Sequence, residues 1–257
     1  MRTPRAGCGT ARLKMAAILL GLAAGDASAA PDFSGVWGMV QHDRLGAPFF
    51  IPIEPKLNGT GRAATEAFVA KYDVENLEAN GSCVEPGMPT VMWGIGGAAM
   101  EIVQQAERIT LLSELANQSR RIYLDGRTLP DDLPDQRVGF SVGHWEGDTL
   151  VIETTNVTEW EAPRWPHSDA FRVTERWFFK DAGDIEITGL RPDRPPPKVE
   201  GQVLINEMTM NDAKWYADTD YKVTVVYRRL EDQVMLEDGC AEGIWREALE
   251  KTAGEAQ

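Results

Sequence analysis

The sequence predicts an all-β fold, an antiparallel β-barrel with one short helix near its N-terminus. Three observations predict it. From Met100 onward the apolar residues recur with a period of two, the signature of half-buried strands rather than of helices. The segments that carry this period are short and closely spaced, and turn residues separate most of them, such as Asp125-Gly126, Glu146-Gly-Asp148 and Asp181-Ala-Gly-Asp184. Only one stretch has the composition of a helix. Many short strands with a single helix make a barrel or a sandwich, and 257 residues suit one such domain.

The elements follow in order. Residues 33–40 read as a first strand, and the Pro- and Gly-rich residues 43–60 as a loop. Residues 61–72 are rich in Ala and Glu and predict the helix, with Thr60 as its N-cap. Residues 73–97 return to loop and end in the flexible Trp93-Gly-Ile-Gly-Gly97. Strands are then expected at 100–105, 108–115, 120–124, 138–145, 150–155, 170–180, 185–190, 203–210, 222–229 and 233–236. The Pro-rich 191–198 is a loop rather than a domain linker, because strands resume after it. Residues 30–257 are therefore expected to form a single barrel domain.

Residues 1–29 stand apart. Arg2, Arg5, Arg12 and Lys14 precede the apolar run from Met15 to Ala24, and Ala27-Ser28-Ala29 closes the segment. A basic start, a run of about ten apolar residues and an A-x-A site describe a secretory signal peptide. The run is too short to span a membrane. The expectation is an exported protein, periplasmic or secreted. Without residues 1–29 the net charge moves from −14 to −17, since four basic residues and one acidic residue are removed. No basic cluster remains to neutralise a phosphate backbone, which excludes nucleic acid as a partner. Cys83 and Cys240 would remain, an even pair that in an oxidising compartment suggests one disulfide.

Titratable residues on the apolar phase of a strand merit attention, because burial without a partner is costly. On 170–180 one phase reads Phe171, Val173, Glu175, Trp177, Phe179. On 138–146 the phase Val138, Phe140, Val142 leads to His144 and Glu146. If both apolar phases face one interior, Glu175 and His144 form the outline of a general acid–base pair. Alternatively Glu175 pairs with a buried arginine, such as Arg121 or Arg176, and His144 is a bonded core histidine. His167 lies in the loop Trp165-Pro-His-Ser-Asp169 at a strand mouth, and Tyr123 sits on a strand where it could bind a phenolic oxygen. No metal-ligand, nucleotide-loop or nucleophile-elbow motif is present, so neither metal nor cofactor is expected. Trp93, Trp145, Trp160, Trp165 and Trp177 fall around these same segments. Aromatic walls with a few polar groups suit a small, flat aromatic ligand.

Several motifs occur together: Pro31-Asp-Phe-Ser-Gly-Val-Trp37, Arg121-Ile-Tyr-Leu-Asp-Gly-Arg127, Gly139-Phe-Ser-Val-Gly-His-Trp-Glu-Gly-Asp-Thr-Leu-Val-Ile-Glu-Thr154, residues 168–176 and Cys240-Ala-Glu242. In this order they resemble a widespread family of secreted bacterial proteins, along nearly the whole chain after residue 30. This chain departs from that family's pattern at Phe140, where a His is usual, and at His144, where a basic Arg or Lys is usual. The type is similar to the phenylcoumaran γ-formaldehyde lyases of lignin-dimer catabolism, which release formaldehyde and leave a stilbene. The resemblance implies lyase chemistry on a small aromatic substrate, and with the residue pattern it leads to the expectation of a lipocalin-like (calycin-type) barrel acting as a cofactor-independent lyase or isomerase. In that reading Glu175 and His144 transfer protons, Arg121 or Arg176 stabilises an oxyanion, and Tyr123 orients a phenol. Trp93, Trp145, Trp177 and His167 would contact the substrate. The reading from a different class is a non-catalytic periplasmic carrier of the same kind of ligand. A homo-oligomer is compatible with either.

Overall fold

The structure, a computed structural model, describes residues 30–44, 52–72, 87–93, 98–191 and 193–237. Nine strands close into one barrel: β1 (Gly35–His42), β2 (Met100–Gln104), β3 (Arg108–Ser113), β4 (Ser119–Tyr123), β5 (Phe140–Glu146), β6 (Thr149–Thr155), β7 (Arg172–Asp181), β8 (Gln202–Asn211) and β9 (Tyr221–Arg229). Each strand pairs with the next, and β9 returns to β1. Closure leaves no unpaired edge. The expected signal segment, Cys83 and Cys240 lie outside the described residues.

One pair departs from the antiparallel pattern: β4 and β5 run parallel, with Ile122 opposite Ser141. Parallel neighbours cannot be joined by a tight turn and need a crossover of about a dozen residues or more. Residues 124–139, rich in Asp and Pro and without strand periodicity, provide it. Asp125-Gly126 therefore opens a crossover instead of a hairpin.

Two expected strands are absent. Residues 185–190 form no ladder; Ile185 and Ile187 pack on the outside of the barrel against Val40, Val203, Ile205 and Val226. Their alternation reports one-sided burial, which a strand and an apposed loop produce alike. Residues 233–236 are also unpaired, and Val234 and Leu236 are exposed, because the β9–β1 pairing has used the last available edge.

The single helix, α1, spans Gly59–Lys71. Its N-cap is Asn58 rather than Thr60: the Asn58 carboxamide oxygen accepts from the backbone N–H groups of Thr60 and Gly61 at 2.9 and 3.0 Å. The same side chain donates through Nδ2 to the Lys214 carbonyl at 2.8 Å, tying the helix to the β8–β9 connection. Gly61 allows the close approach, since a Cβ there would lie 2.7 Å from the Trp215 carbonyl oxygen.

The strand registers define two ends. At the lid end converge α1, the buried turn 87–93, and the connections 114–118, 156–171 and 212–220. At the opposite end Phe33 closes the barrel, stacked on Trp145 with centroids 5.6 Å apart and edge-on to Trp177 and Phe179. The Trp37 indole N–H fixes this plug by donating to the Phe33 carbonyl at 2.9 Å. Between the plug and the lid lies one continuous apolar core.

Candidate functional site: the polar centre of the barrel

Residues directly opposite each other in a ladder point to the same face of the sheet. Gly143, Ile152 and Glu175 stand in one such row, and Ile152 is buried, so Glu175 points inward. The adjacent row contains His144, Val151, Arg176 and Glu207 and points outward. The inward phase of β5 is thus the one made of small residues, Ser141 and Gly143, together with Trp145. The expected juxtaposition of His144 with Glu175 is corrected: they lie on opposite faces. His144 is exposed, 3.4 Å from Glu146, and Arg176 holds the same Glu146 at 2.9 Å.

The Glu175 carboxylate is fully buried, and so is its cation, which is Arg120 rather than Arg121 or Arg176. Arg120 and Ile122 form the inward phase of β4, which leaves Arg121 exposed and Tyr123 on the outside. Tyr123 packs there against Phe140 and beneath the Arg127 guanidinium, 4.0 Å from its ring. Neither residue reaches the interior.

Every part of the buried pair is bonded. Glu175 Oε2 accepts from Arg120 Nη2. Glu175 Oε1 accepts from Asn206 Nδ2 at 2.8 Å and from the Trp177 indole at 3.2 Å. Arg120 donates further to Thr154 Oγ1 at 2.8 Å, Ser141 Oγ at 3.1 Å and Met92 Sδ at 3.1 Å. The Tyr227 hydroxyl donates to the Met92 carbonyl. Burial, reinforced by the neighbouring Glu175 charge, pushes its pKa up and keeps it protonated. The centre is a charge-neutral network in which both carboxylate oxygens are already engaged. Glu175 is thus committed to a buried network, and a substrate would have to disrupt it to reach the carboxylate.

Met92 links this centre to the lid, and the next residue, Trp93, is buried there against Trp165 with ring centroids 4.9 Å apart. Neither indole Nε1–H has a hydrogen-bond partner, and neither does Asn206 Oδ1 on the polar centre itself. A buried polar group left unpaired costs about 1–3 kcal/mol. The Tyr216 hydroxyl in the 212–220 connection is likewise buried and unpartnered, so three such atoms lie at the lid end and a fourth, Asn206 Oδ1, on the polar centre, and these set the barrel apart from a packed core. The five tryptophans expected around one pocket are divided: Trp93 and Trp165 meet under the lid, whereas Trp145 and Trp177 belong to the plug at the other end. Trp160 lies beneath Arg137, 4.4 Å from its guanidinium carbon.

His167 is buried in the 156–171 connection, stacked on Phe171. Its two ring nitrogens face the carbonyls of Trp165 at 2.7 Å and Thr158 at 3.1 Å. Burial outweighs both carbonyls and pushes its pKa down from 6.5 to about 4. The neighbouring Ser168 is bonded to buried Asp212, whose carboxylate also accepts from the N–H groups of Lys214 and Trp215. His167 and Asp212 hold the lid connections in place.

Arg120, Asn206 and Tyr227 are the interior residues that sequence reasoning missed as site members. A usable signal existed for two of them. Arg120 shares its phase with Ile122 and Leu124, and Asn206 shares its phase with Leu204 and Met208. Among the described residues no three His, Cys, Asp or Glu side chains come together, and no helix is long and apolar enough to cross a membrane.

No family model matches the chain, and no curated protein sequence is significantly similar to it. Among solved structures it is similar to the fluorescent protein UnaG. The wild-type structure is 15% identical, with a TM-score of 0.34 over 77% of this chain and 97% of that one. A single-residue variant of UnaG matches at 15% identity and a TM-score of 0.36, over 78% of this chain and 97% of that one.

Proposed function

We propose that the protein binds a small, largely apolar aromatic ligand beneath the lid of its barrel and carries it without chemical change. The observation that carries this reading is the set of buried, unpartnered polar atoms at the lid end, on Trp93, Trp165 and Tyr216, together with Asn206 Oδ1 on the polar centre. A bound molecule with complementary polar atoms would satisfy them, and the surrounding aromatic side chains suit its rings. The lyase reading needs an acid–base pair. Glu175 is closed within its network, and His144 and Tyr123 stand on the outer face. The carrier reading takes residues 1–29 as an export signal, so the protein would act in the periplasm.

The test is to titrate the purified protein with a panel of aromatic compounds, lignin-type dimers included, by calorimetry and tryptophan fluorescence. Mass spectrometry of each mixture follows product formation. Saturable binding at one site with every compound recovered unchanged is expected. Conversion of any dimer to a stilbene and formaldehyde would overturn the carrier reading.

A further inference from the structure

Resting on the binding reading above, we infer that the ligand is an uncharged molecule whose carbonyl or ether oxygen meets the indole N–H groups of Trp93 and Trp165. The inference comes from which charges and donors remain available inside the barrel. The buried cation of the inward phase is Arg120, and it is spent: its guanidinium meets Glu175, Thr154, Ser141 and Met92. Glu175 cancels its charge within hydrogen-bond distance. A carboxylate or phosphate entering this interior would give up its hydration and find Arg120, the buried cation among the described residues, already neutralised, and burying an unpaired charge is prohibitively costly.

The unpartnered donors that remain at this end are neutral, the indoles of Trp93 and Trp165 and the Tyr216 hydroxyl. Trp93 and Trp165 are almost entirely buried, and their ring centroids lie 4.9 Å apart, so both N–H groups fall within the span of one small molecule. An indole nitrogen can only donate, so its complement is an acceptor without a proton to spare. Asn206 Oδ1 is the unpaired acceptor on the polar centre. Met92 ties the two parts together, because it touches Arg120 and Tyr227 and directly precedes Trp93.

Three probes of one shape separate the possibilities: benzophenone, with a carbonyl; diphenylmethane, without one; and benzoylbenzoate, with a carboxylate added. Their affinities for the intact protein are measured by calorimetry. Benzophenone is expected to bind at least tenfold more tightly than either of the others. The gap between benzophenone and diphenylmethane should close in Trp93→Phe and Trp165→Phe, which keep the aromatic packing and remove only the N–H. Equal binding of benzophenone and diphenylmethane to the wild type would mean that ordered water, not a ligand oxygen, meets the indoles, and would overturn the inference. Tightest binding of benzoylbenzoate would overturn it as well, while leaving the carrier reading in place. No binding of any probe would contradict the carrier reading itself. The wild-type comparison needs no variant, so a Trp→Phe change that impairs folding does not obscure the result.

Discussion

At the scale of single residues, the account turns on which face of a strand a side chain occupies. Glu175 and Arg120 neutralise each other's charge in the barrel interior, and removing one charge of a buried pair costs about 3–5 kcal/mol. Glu175→Gln should therefore lower the urea midpoint strongly. His144→Ala, on the outer face, should leave it within about 0.5 kcal/mol of the wild type. Equal effects of the two changes would contradict the assigned faces. His167 makes a separate prediction about pH. Its folded-state pKa, about 4, lies below its unfolded value of 6.5, so the unfolded chain binds more protons between these values. Its contribution to stability is complete above pH 6.5 and is lost as the pH falls towards 4, up to about 3 kcal/mol. Unfolding free energies across that range should show the slope, and His167→Gln should flatten it. Glu175 was legible in the sequence because it interrupts a long apolar phase. Its partner was not, because Arg120 and Arg121 are adjacent and only the register of β4 decides which of them faces inward. On β5 the inward phase begins with small residues, since Ser141 bonds Arg120 and the Ile122, Leu124 and Leu150 side chains crowd Gly143, and the bulkier outer phase invited the opposite assignment.

At the scale of elements, the lid depends on the helix start. Asn58 caps α1 and also bonds the β8–β9 connection, so Asn58→Ala should cost about 1–2 kcal/mol, at the upper part of the range for N-caps. Chemical denaturation reads it directly; a change below a few tenths would contradict the dual role. Gly61→Ala should also destabilise, by about 1–3 kcal/mol, because its methyl group would press on the Trp215 backbone. The helix itself was legible from its Ala and Glu content. Its cap was not, since Asn58 and Thr60 are both good capping residues and the choice falls to the contact with residues 214 and 216. Strand reading succeeded wherever period-two burial coincided with a ladder, and failed at 185–190, where the same burial came from a loop lying on the barrel wall.

At the scale of the whole molecule, closure explains both what was legible and what was not. The close spacing of the strands announced a barrel, yet one parallel pair, made through the 124–139 crossover, lets the last strand meet the first. Closure produces an inside, and the inside is divided into an aromatic plug, a neutral polar centre and a lid with unpaired donors. Nothing in the residue order alone separates Trp93 and Trp165 from Trp145 and Trp177. The separation follows from strand direction, which places the 87–93 and 156–171 connections at one end and Phe33 at the other. The most direct test of the central claim is an NMR spectrum of the protein labelled at its eight indole nitrogens, recorded with and without benzophenone. Trp93→Phe and Trp165→Phe assign the two signals of interest. The account predicts that these two move downfield on binding and become protected from exchange, as N–H groups do on gaining an acceptor. Saturating benzophenone with both signals unmoved would contradict it.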